Sequence, residues 1–217
     1  MEDSRALVRH IRTRLDVARD VWRASDARGG GVARGHFFGA RKHRFELSPP
    51  VSEEAVHQWE AAFQVELPEA YRTFLTQLGV QGAGPFYGLD SPWGLSRKSA
   101  EARADYGRWM RAPCPVLEQL PPGDAEDTRW LELMGGPDWE ARFDQDVWSP
   151  SQGTLPLVQV GCGEEIVLIL NGPLRGRLCQ LCEVWQTPRV HAAPDFLTWY
   201  ADWLESVILG ADLSVRA

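Results

Sequence analysis

Residues 49–89 read PPVSEEAVHQWEAAFQVELPEAYRTFLTQLGVQGAGPFYGL and predict two short helices followed by a glycine-rich turn. Ser52 is a typical N-cap, because its side-chain oxygen accepts a hydrogen bond from a first-turn N–H, so a helix is predicted from the next residue. Val56, Trp59 and Phe63 then recur at helical spacing and form one apolar stripe. This stripe predicts that Trp59 is an anchor of the core.

The second helix of this stretch is predicted to begin at Pro68, where the missing N–H costs nothing. It carries apolar residues on one face and is predicted to end at Gly79, a residue suited to the left-handed C′ position. The glycines of residues 82–85 are not followed by the lysine and helix start of a phosphate-binding loop. They predict a sharp turn that directs Phe86 and Tyr87 into the core.

Residues 154–183 give the clearest β pattern of the chain. An antiparallel meander with glycine turns is predicted, with strands at Leu155–Val160, Ile166–Leu170 and Arg177–Cys182. The middle strand is continuously apolar and is therefore expected to be central and covered on both faces. A last helix, predicted from near Pro194 to Leu209, caps one face of the sheet.

Residues 4–24 predict an amphipathic helix that docks by its apolar stripe, beside a row of arginines. This row is either a binding surface for nucleic acid or an acidic protein, or a solvated face paired with Asp16 and Asp20. The paired face is favoured, because interspersed acids dilute the field. Residues 36–38 and 44–47 predict a short strand pair.

The predicted fold class is α+β, a single domain with a mostly antiparallel central sheet and helices packed around it. Residues 1–44 form a basic N-terminal helix and a glycine-rich connection, and residues 45–210 form the domain itself. Within it, the segment at about 90–148 is irregular, acidic and rich in tryptophan. Its tryptophans are interpreted as core and loop anchors rather than as a sugar-binding face.

The 217 residues suffice for one sizeable core, and no apolar run approaches the length of a membrane span or a signal peptide. Four cysteines favour reduced thiols, so we expect a cytoplasmic protein.

Residues 1–44 contain 11 Lys+Arg against 5 Asp+Glu, and residues 45–217 contain 12 against 25. The acidic body argues against nucleic-acid binding and is compatible with a basic protein partner, or it serves only solubility.

The candidate catalytic and metal-binding patterns are incomplete. Cys162, between Gly161 and Gly163, has the setting of a nucleophile, but no motif places a histidine near it. We therefore predict a structural turn in which Cys162 is a small buried side chain. Cys179 and Cys182 have the spacing of half a zinc site, with no second pair. No catalytic residue, metal or cofactor is expected.

Several motifs together carry a resemblance to a known family. They are Phe45-x-Leu47-x-x-Pro50, Trp59-Glu60, Leu67-Pro68-x-x-Tyr71-Arg72-x-Phe74-Leu75, Gly82-Ala83-Gly84-Pro85-x-Tyr87-Gly88-Leu89, Leu155-Pro156-Leu157, Gly161-Cys162-Gly163 and Phe196-Leu197-x-Trp199-Tyr200-x-x-Trp203-Leu204. In this order they resemble the SUKH superfamily, which includes the yeast Smi/Knr cell-wall regulator and many bacterial immunity proteins. The resemblance implies structural roles for Trp59, Pro68, Tyr71, Gly84, Pro85, Gly88, Gly161, Cys162 and Gly163.

The resemblance also implies a non-enzymatic binding module. The first hypothesis is a bacterial immunity protein that neutralises a toxin from a polymorphic or contact-dependent system. The alternatives are a regulatory scaffold of the Smi/Knr type and, less favoured, a cysteine-dependent hydrolase.

The predicted partner surface follows from charge. Residues 118–146 contain nine acidic and two basic residues, and they also carry Trp130 and Trp139. Aromatic anchors in an acidic field suit capture of a basic protein such as a nuclease toxin. The alternative, given equal weight, is a solvated insertion with buried tryptophans. The partner-binding candidates are Glu126, Asp127, Trp130, Glu132, Asp138, Trp139 and, at the acidic turn, Glu164 and Glu165.

Overall fold

The structure is a computed structural model that describes residues 2–27, 39–123, 127–182 and 186–210. In these ranges the helices are α1 (Glu2–Ala27), α2 (Ala40–His43), α3 (Glu53–Phe63), α4 (Glu69–Gln77), α5 (Trp93–Ser96), α6 (Ala100–Arg111), α7 (Arg129–Gly135), α8 (Trp139–Asp144) and α9 (Phe196–Leu209). The strands are β1 (Thr154–Gly161), β2 (Glu164–Ile169), β3 (Leu178–Cys182) and β4 (Gln186–Val190). The α+β prediction is confirmed.

The helix pair α3–α4 begins as the sequence predicts. Ser52 accepts a hydrogen bond from Ala55 N at 3.2 Å, and Trp59 is only 2% exposed. The end of α4 differs from the prediction, because Gly79 does not adopt a left-handed φ. Instead, a Cβ atom at Gly79 would lie 2.4 Å from the carbonyl oxygen of Ser48, so glycine is required for a close backbone approach.

A buried ion pair joins α3 to α4. Arg72 donates to both carboxylate oxygens of Glu60, at 2.8 and 2.9 Å, and also to Glu53 at 3.0 Å. Glu60 is only 8% exposed and also accepts from the backbone N–H of Leu67 at 2.8 Å. Because the Glu60 carboxylate is buried, removal of Arg72 would leave its charge without a cationic hydrogen-bond donor.

The sheet is antiparallel in the order β1-β2-β3-β4, and the three predicted strands are present. The central position of β2 is confirmed: Ile166 and Leu168 belong to the main core, while Val167 and Ile169 face a second cluster with Val116. Strand β4 was missed, because its Pro188 argues against a strand and its other residues are mostly polar.

Both edges of the sheet have neighbours. On the β1 side, Val158 forms a bridge to Leu89, which bridges Gly82, which in turn bridges Leu47. On the β4 side, Thr187 donates from its backbone N–H to Gly123 O at 3.3 Å and from its hydroxyl to Pro121 O at 2.9 Å. In the strand pair predicted near the N-terminus, residues 36–38 lie outside the described chain, and Leu47 forms only its bridge.

The main core lies between the sheet and the helices α1, α3, α4 and α9. The apolar stripe of α1 is buried in it, as predicted, at Val8, Ile11, Leu15 and Ala18. Arg14 of α1 also forms an ion pair with Glu205 of α9. Helix α1 is thus integrated into the core by both packing and charge.

The rings of α4 and α9 fill the centre of this core. Phe74 packs against Phe196 and Tyr200, with ring centroids 4.9 Å apart in each pair.

The turn at residues 82–88 differs from the prediction, because Phe86 is only half-buried and Tyr87 is 41% exposed. Lys42 lies over the Tyr87 ring at 5.9 Å, so this ring serves as a surface contact.

We predict that Trp59→Ala lowers the free energy of unfolding by roughly 3–5 kcal/mol, as for other large-to-small aromatic changes in cores. Its ring lies 4.7 Å from that of Phe63, and its Nε1–H donates to Pro92 O at 3.0 Å, so both packing and a hydrogen bond are lost. Urea unfolding would measure the change. The control Leu133→Ala, at a site 58% exposed, should stay within about 0.5 kcal/mol of the parent.

We also predict that His43 makes the stability of the fold sensitive to acid. Its Nδ1 atom accepts a hydrogen bond from the backbone N–H of Phe45 at 3.1 Å. Burial, assisted by Lys42, lowers the pKa of His43 from 6.5 to about 4. Below pH 6.5 the unfolded chain therefore binds a proton that the folded chain excludes, so stability falls as the pH drops toward 4, by up to ~3 kcal/mol.

Urea midpoints measured at several pH values would test this expectation. The variant His43→Gln should show a shallower loss of stability between pH 6.5 and 4 than the parent. An unchanged slope would mean that another group dominates.

Candidate partner-binding surface

The acidic segment at 118–146 folds around α7 and α8. Of its nine acids, Asp124 and Glu126 lie outside the described residues. The four that form ion pairs are Asp127 with Arg129 at 2.5 Å, Asp138 with Arg142 at 3.8 Å, Asp146 with Arg108 at 3.5 Å and Glu118 with Arg177 at 3.4 Å. Glu132, Glu140 and Asp144 have no cationic partner in the described chain. A cation of a partner could therefore pair with these three carboxylates without displacing a cation of the described chain.

The tryptophans of this segment form a small core of their own. Trp130 is 0% exposed and clusters with Leu131 and Trp148, while Trp139 is half-buried, with its ring 6.2 Å from that of Trp148. Trp130 is therefore not a surface anchor in this structure, and the alternative of buried tryptophans describes its position. The partly exposed ring of Trp139 packs against this cluster.

Other apolar side chains of the segment are exposed instead. Leu133 is 58% exposed and Phe143 is 39% exposed, and Val147, directly after the segment, is 59% exposed. Sequence analysis missed them, because an isolated leucine, valine or phenylalanine among charged residues carries no periodic signal. The only hint is that Phe143 stands between Arg142 and Asp144, in a helix too short to bury a full stripe.

Glu164 and Glu165 open β2 and point to opposite faces of the sheet. Glu164 accepts a hydrogen bond from the side-chain amide of Gln180, and Glu165 accepts one from Gln159, each at 2.5 Å. Neither has a cationic partner in the ranges that the structure describes. The amides orient the two carboxylates, and no cation of the described chain pairs with them.

A groove brings the two predicted surfaces together. It has a volume of about 500 Å³ and is lined by Phe143, Ser149, Pro150, Ser151, Gln159, Gly163, Glu165 and Leu181. Phe143 comes from the acidic segment, and Glu165 comes from the turn that was an independent candidate. Glu132 lies in a separate depression with Leu133, and Glu164 lies on the other face of the sheet.

The turn at the end of this groove is a two-residue hairpin loop. Gly161 pairs with Glu164, and the loop residues Cys162 and Gly163 have φ values of 53° and 80°. Two positive φ angles are typical of a type I′ turn. Cys162 is exposed, so the prediction of a buried side chain is wrong: the tip of a tight hairpin projects its side chain into solvent.

The remaining thiols are less accessible. Burial raises the pKa of Cys114 to about 11 and raises that of Cys179 further, so both stay protonated at neutral pH. Cys182 is half-buried. Among the described residues, no group of three His, Cys, Asp or Glu side chains is arranged to hold a metal ion.

The other residues implied by the family motifs lie in the interior. Trp59, Pro68, Tyr71, Gly84, Pro85 and Gly88 are all buried. A Cβ atom at Gly84 would lie 2.8 Å from the backbone nitrogen of Leu89, which explains the small residue there.

In the described part of the chain, no helix has the length and apolar character needed to cross a membrane.

We predict that Cys162→Gly raises the free energy of unfolding by up to about 1 kcal/mol, because glycine adopts a positive φ without strain. The matched change Gly163→Ala should lower it by about 1 kcal/mol or more for the opposite reason. Thermal unfolding would measure both. Cys162→Ser, with the same backbone constraint, should leave partner binding intact, and complete loss of binding by a folded serine variant would indicate chemistry at the thiol.

Comparison with known proteins identifies the family. Residues 50–205 match the SMI1 / KNR4 family (SUKH-1). No individual curated protein and no solved structure matches the chain. The matched region is more than half of the 217 residues and includes α3, α4, the glycine-rich turn, the sheet and most of α9. The chain therefore belongs to the SMI1/KNR4 family of the SUKH superfamily.

Proposed function

We propose that this chain is a non-enzymatic immunity protein, which binds a basic toxin domain such as a nuclease and blocks it stoichiometrically. The proposed contact surface is the groove lined by Phe143 and Glu165, together with the uncompensated acids of α7 and α8. Family membership supports a protein-binding role, since the SUKH resemblance implies a binding module.

The observation that carries the proposal is the environment of the Glu165 carboxylate. Its carboxylate is held by the Gln159 amide at 2.5 Å and has no cationic partner in the described chain. An arginine or lysine of a partner would therefore meet an acceptor that is already oriented, so less side-chain freedom is lost on binding. Exposed acids that pair internally, such as Asp138 with Arg142, lack this property.

The groove also supplies an apolar centre for the interface. Phe143 is 39% exposed at its wall, and Glu140 and Asp144 stand on the same short helix. Interfaces commonly combine a desolvated apolar centre with a charged rim, and the rim accelerates encounter with an oppositely charged partner. A basic toxin domain fits this combination, whereas an acidic partner or nucleic acid would be repelled.

The direct test is co-expression with the protein encoded by the neighbouring reading frame. If that protein is lethal alone and harmless with this chain, and the two form a 1:1 complex, the immunity function is supported. Several weak partners and no protection would favour a regulatory scaffold instead. A turnover that is lost on Cys162→Ala would favour a hydrolase.

We predict that association with such a toxin slows steeply as salt shortens the Debye length from ~10 Å to ~3 Å. The triple reversal Glu132→Lys, Glu140→Lys and Glu165→Lys should lower the on-rate at low salt by at least about tenfold, because steering contributes that much or more. Stopped-flow association would measure it.

The matched control is Asp20→Lys on α1, an exposed site without an ion pair in the described chain. It changes one charge away from the proposed surface and should alter the on-rate far less than Glu165→Lys alone. If the two single reversals have equal effects, only net charge matters and the proposed surface is wrong.

A further inference from the structure

The groove of the proposed contact surface contains one charged lining residue, Glu165, and none of its other lining residues is basic. The arginines of the neighbouring helices are engaged elsewhere. Arg142 of α8 donates to Gly135 O at 2.7 Å, and Arg108 of α6 pairs with Asp146 at 3.5 Å. The charge of the groove therefore favours a cation of the partner and disfavours a carboxylate or a phosphate.

The polar residues of the groove offer hydrogen-bond acceptors in a small space. Oε1 of Glu165 accepts one bond from the Gln159 amide at 2.5 Å, and Oε2 forms no bond in the described chain. The Ser151 hydroxyl lies 2.9 Å from that of Ser149 and retains a lone pair. A guanidinium holds its N–H donors in a rigid planar fork that matches the two oxygens of a carboxylate. A lysine ammonium meets the same carboxylate as a point charge.

The apolar residues of the groove distinguish the two cations further. Phe143 is 39% exposed, so part of its ring surface is open to a partner. Pro150 and Leu181 are buried lining residues and add apolar surface. A guanidinium is weakly hydrated and stacks on aromatic faces, and the methylene stem of arginine packs on apolar surface. An ammonium is strongly hydrated, so it loses more on entering such a groove.

We propose that this groove receives an arginine side chain of the partner, in preference to a lysine. The guanidinium stacks on Phe143 and donates to both carboxylate oxygens of Glu165, and the Ser151 hydroxyl accepts a further bond. The stem of the arginine lies along Leu181. The proposal rests on the proposed function in taking the arginine from the toxin, and it names the side chain that the groove selects.

The exposed thiol of Cys162 permits a test on the complete chain without a toxin. Cys162 is adjacent to the lining residue Gly163, whereas the other thiols are buried or half-buried. Three thiol probes share one flexible linker and end in a guanidinium, an ammonium or a urea group. Each is exchanged onto Cys162 under increasing concentrations of mercaptoethanol, and mass spectrometry measures the fraction retained. Attachment raises the effective concentration of the end group at the groove.

The comparison between probes isolates recognition of the end group. All three probes carry the same thiol, so the reactivity of Cys162 cancels in their ratios. The guanidinium probe should be retained at least about tenfold more strongly than the urea probe, which has the same shape without the charge. It should be retained about two- to fivefold more strongly than the ammonium probe, because only the guanidinium stacks on the ring.

Variants assign these preferences to their residues. Glu165→Gln should remove most of the preference over urea. Phe143→Leu keeps an apolar side chain and should remove only the preference over the ammonium. The matched control is Glu54→Gln, since Glu54 also accepts from a glutamine amide, that of Gln58 at 2.9 Å, but lies outside the groove. It should change neither ratio.

Equal retention of the guanidinium and urea probes, with both a short and a long linker, would overturn the proposal. So would equal retention of the guanidinium and ammonium probes, or preferences that survive Glu165→Gln and Phe143→Leu. These outcomes are separable from failure of the immunity function, because no toxin is present. If the probes behave as expected while no toxin is neutralised, the arginine site stands and the immunity function is wrong.

Discussion

The hydroxyl of Tyr200 donates to the carbonyl of Ala83 at 2.9 Å in a fully buried position, and the arrangement of the fold depends on this contact. A buried tyrosine must satisfy its hydroxyl, so this bond favours the rotation of α9 that brings Tyr200 to Ala83. The contact fixes α9 to the glycine-rich turn. The glycine-rich turn also links the segment before α3 to β1. Gly82 forms bridges with Leu47 and Leu89, and Leu89 forms a bridge with Val158 of β1. One hydrogen bond thereby relates the helix pair, the sheet and the last helix.

The sequence was sufficient for elements that carry strong local signals. The Ser52 cap, the central β2 strand and the Gly210 end of α9 were all predictable, because each depends on neighbouring residues. Features that depend on contacts distant in sequence were not. The need for glycine at position 79 comes from the Ser48 carbonyl, and the pairing of β4 overrides its Pro188. The exposure of Cys162 depends on hairpin geometry, which residue type alone does not fix.

The candidate partner-binding surface, too, was predictable only where it depends on local sequence. Composition located the acidic segment, but it could not tell which acids are paired within the chain, and those pairs join residues up to 59 positions apart. Nor could it tell that Trp130 is buried while Phe143 is exposed. Charge counting therefore overestimates the field available to a partner. The effective charge resides in fewer carboxylates, of which Glu164 and Glu165 are oriented by cross-strand amides.

The covered edges of the sheet constrain how any partner recognises this protein. Since Leu89 occupies the β1 side and residues 121–123 bond to Thr187 on the β4 side, the sheet offers little free backbone for an added strand. Recognition then depends on side chains, which can be replaced singly without refolding the domain. A lineage carrying this fold could change partners through a few surface substitutions, and exchange of such residues between relatives would be a direct route to redesigned specificity.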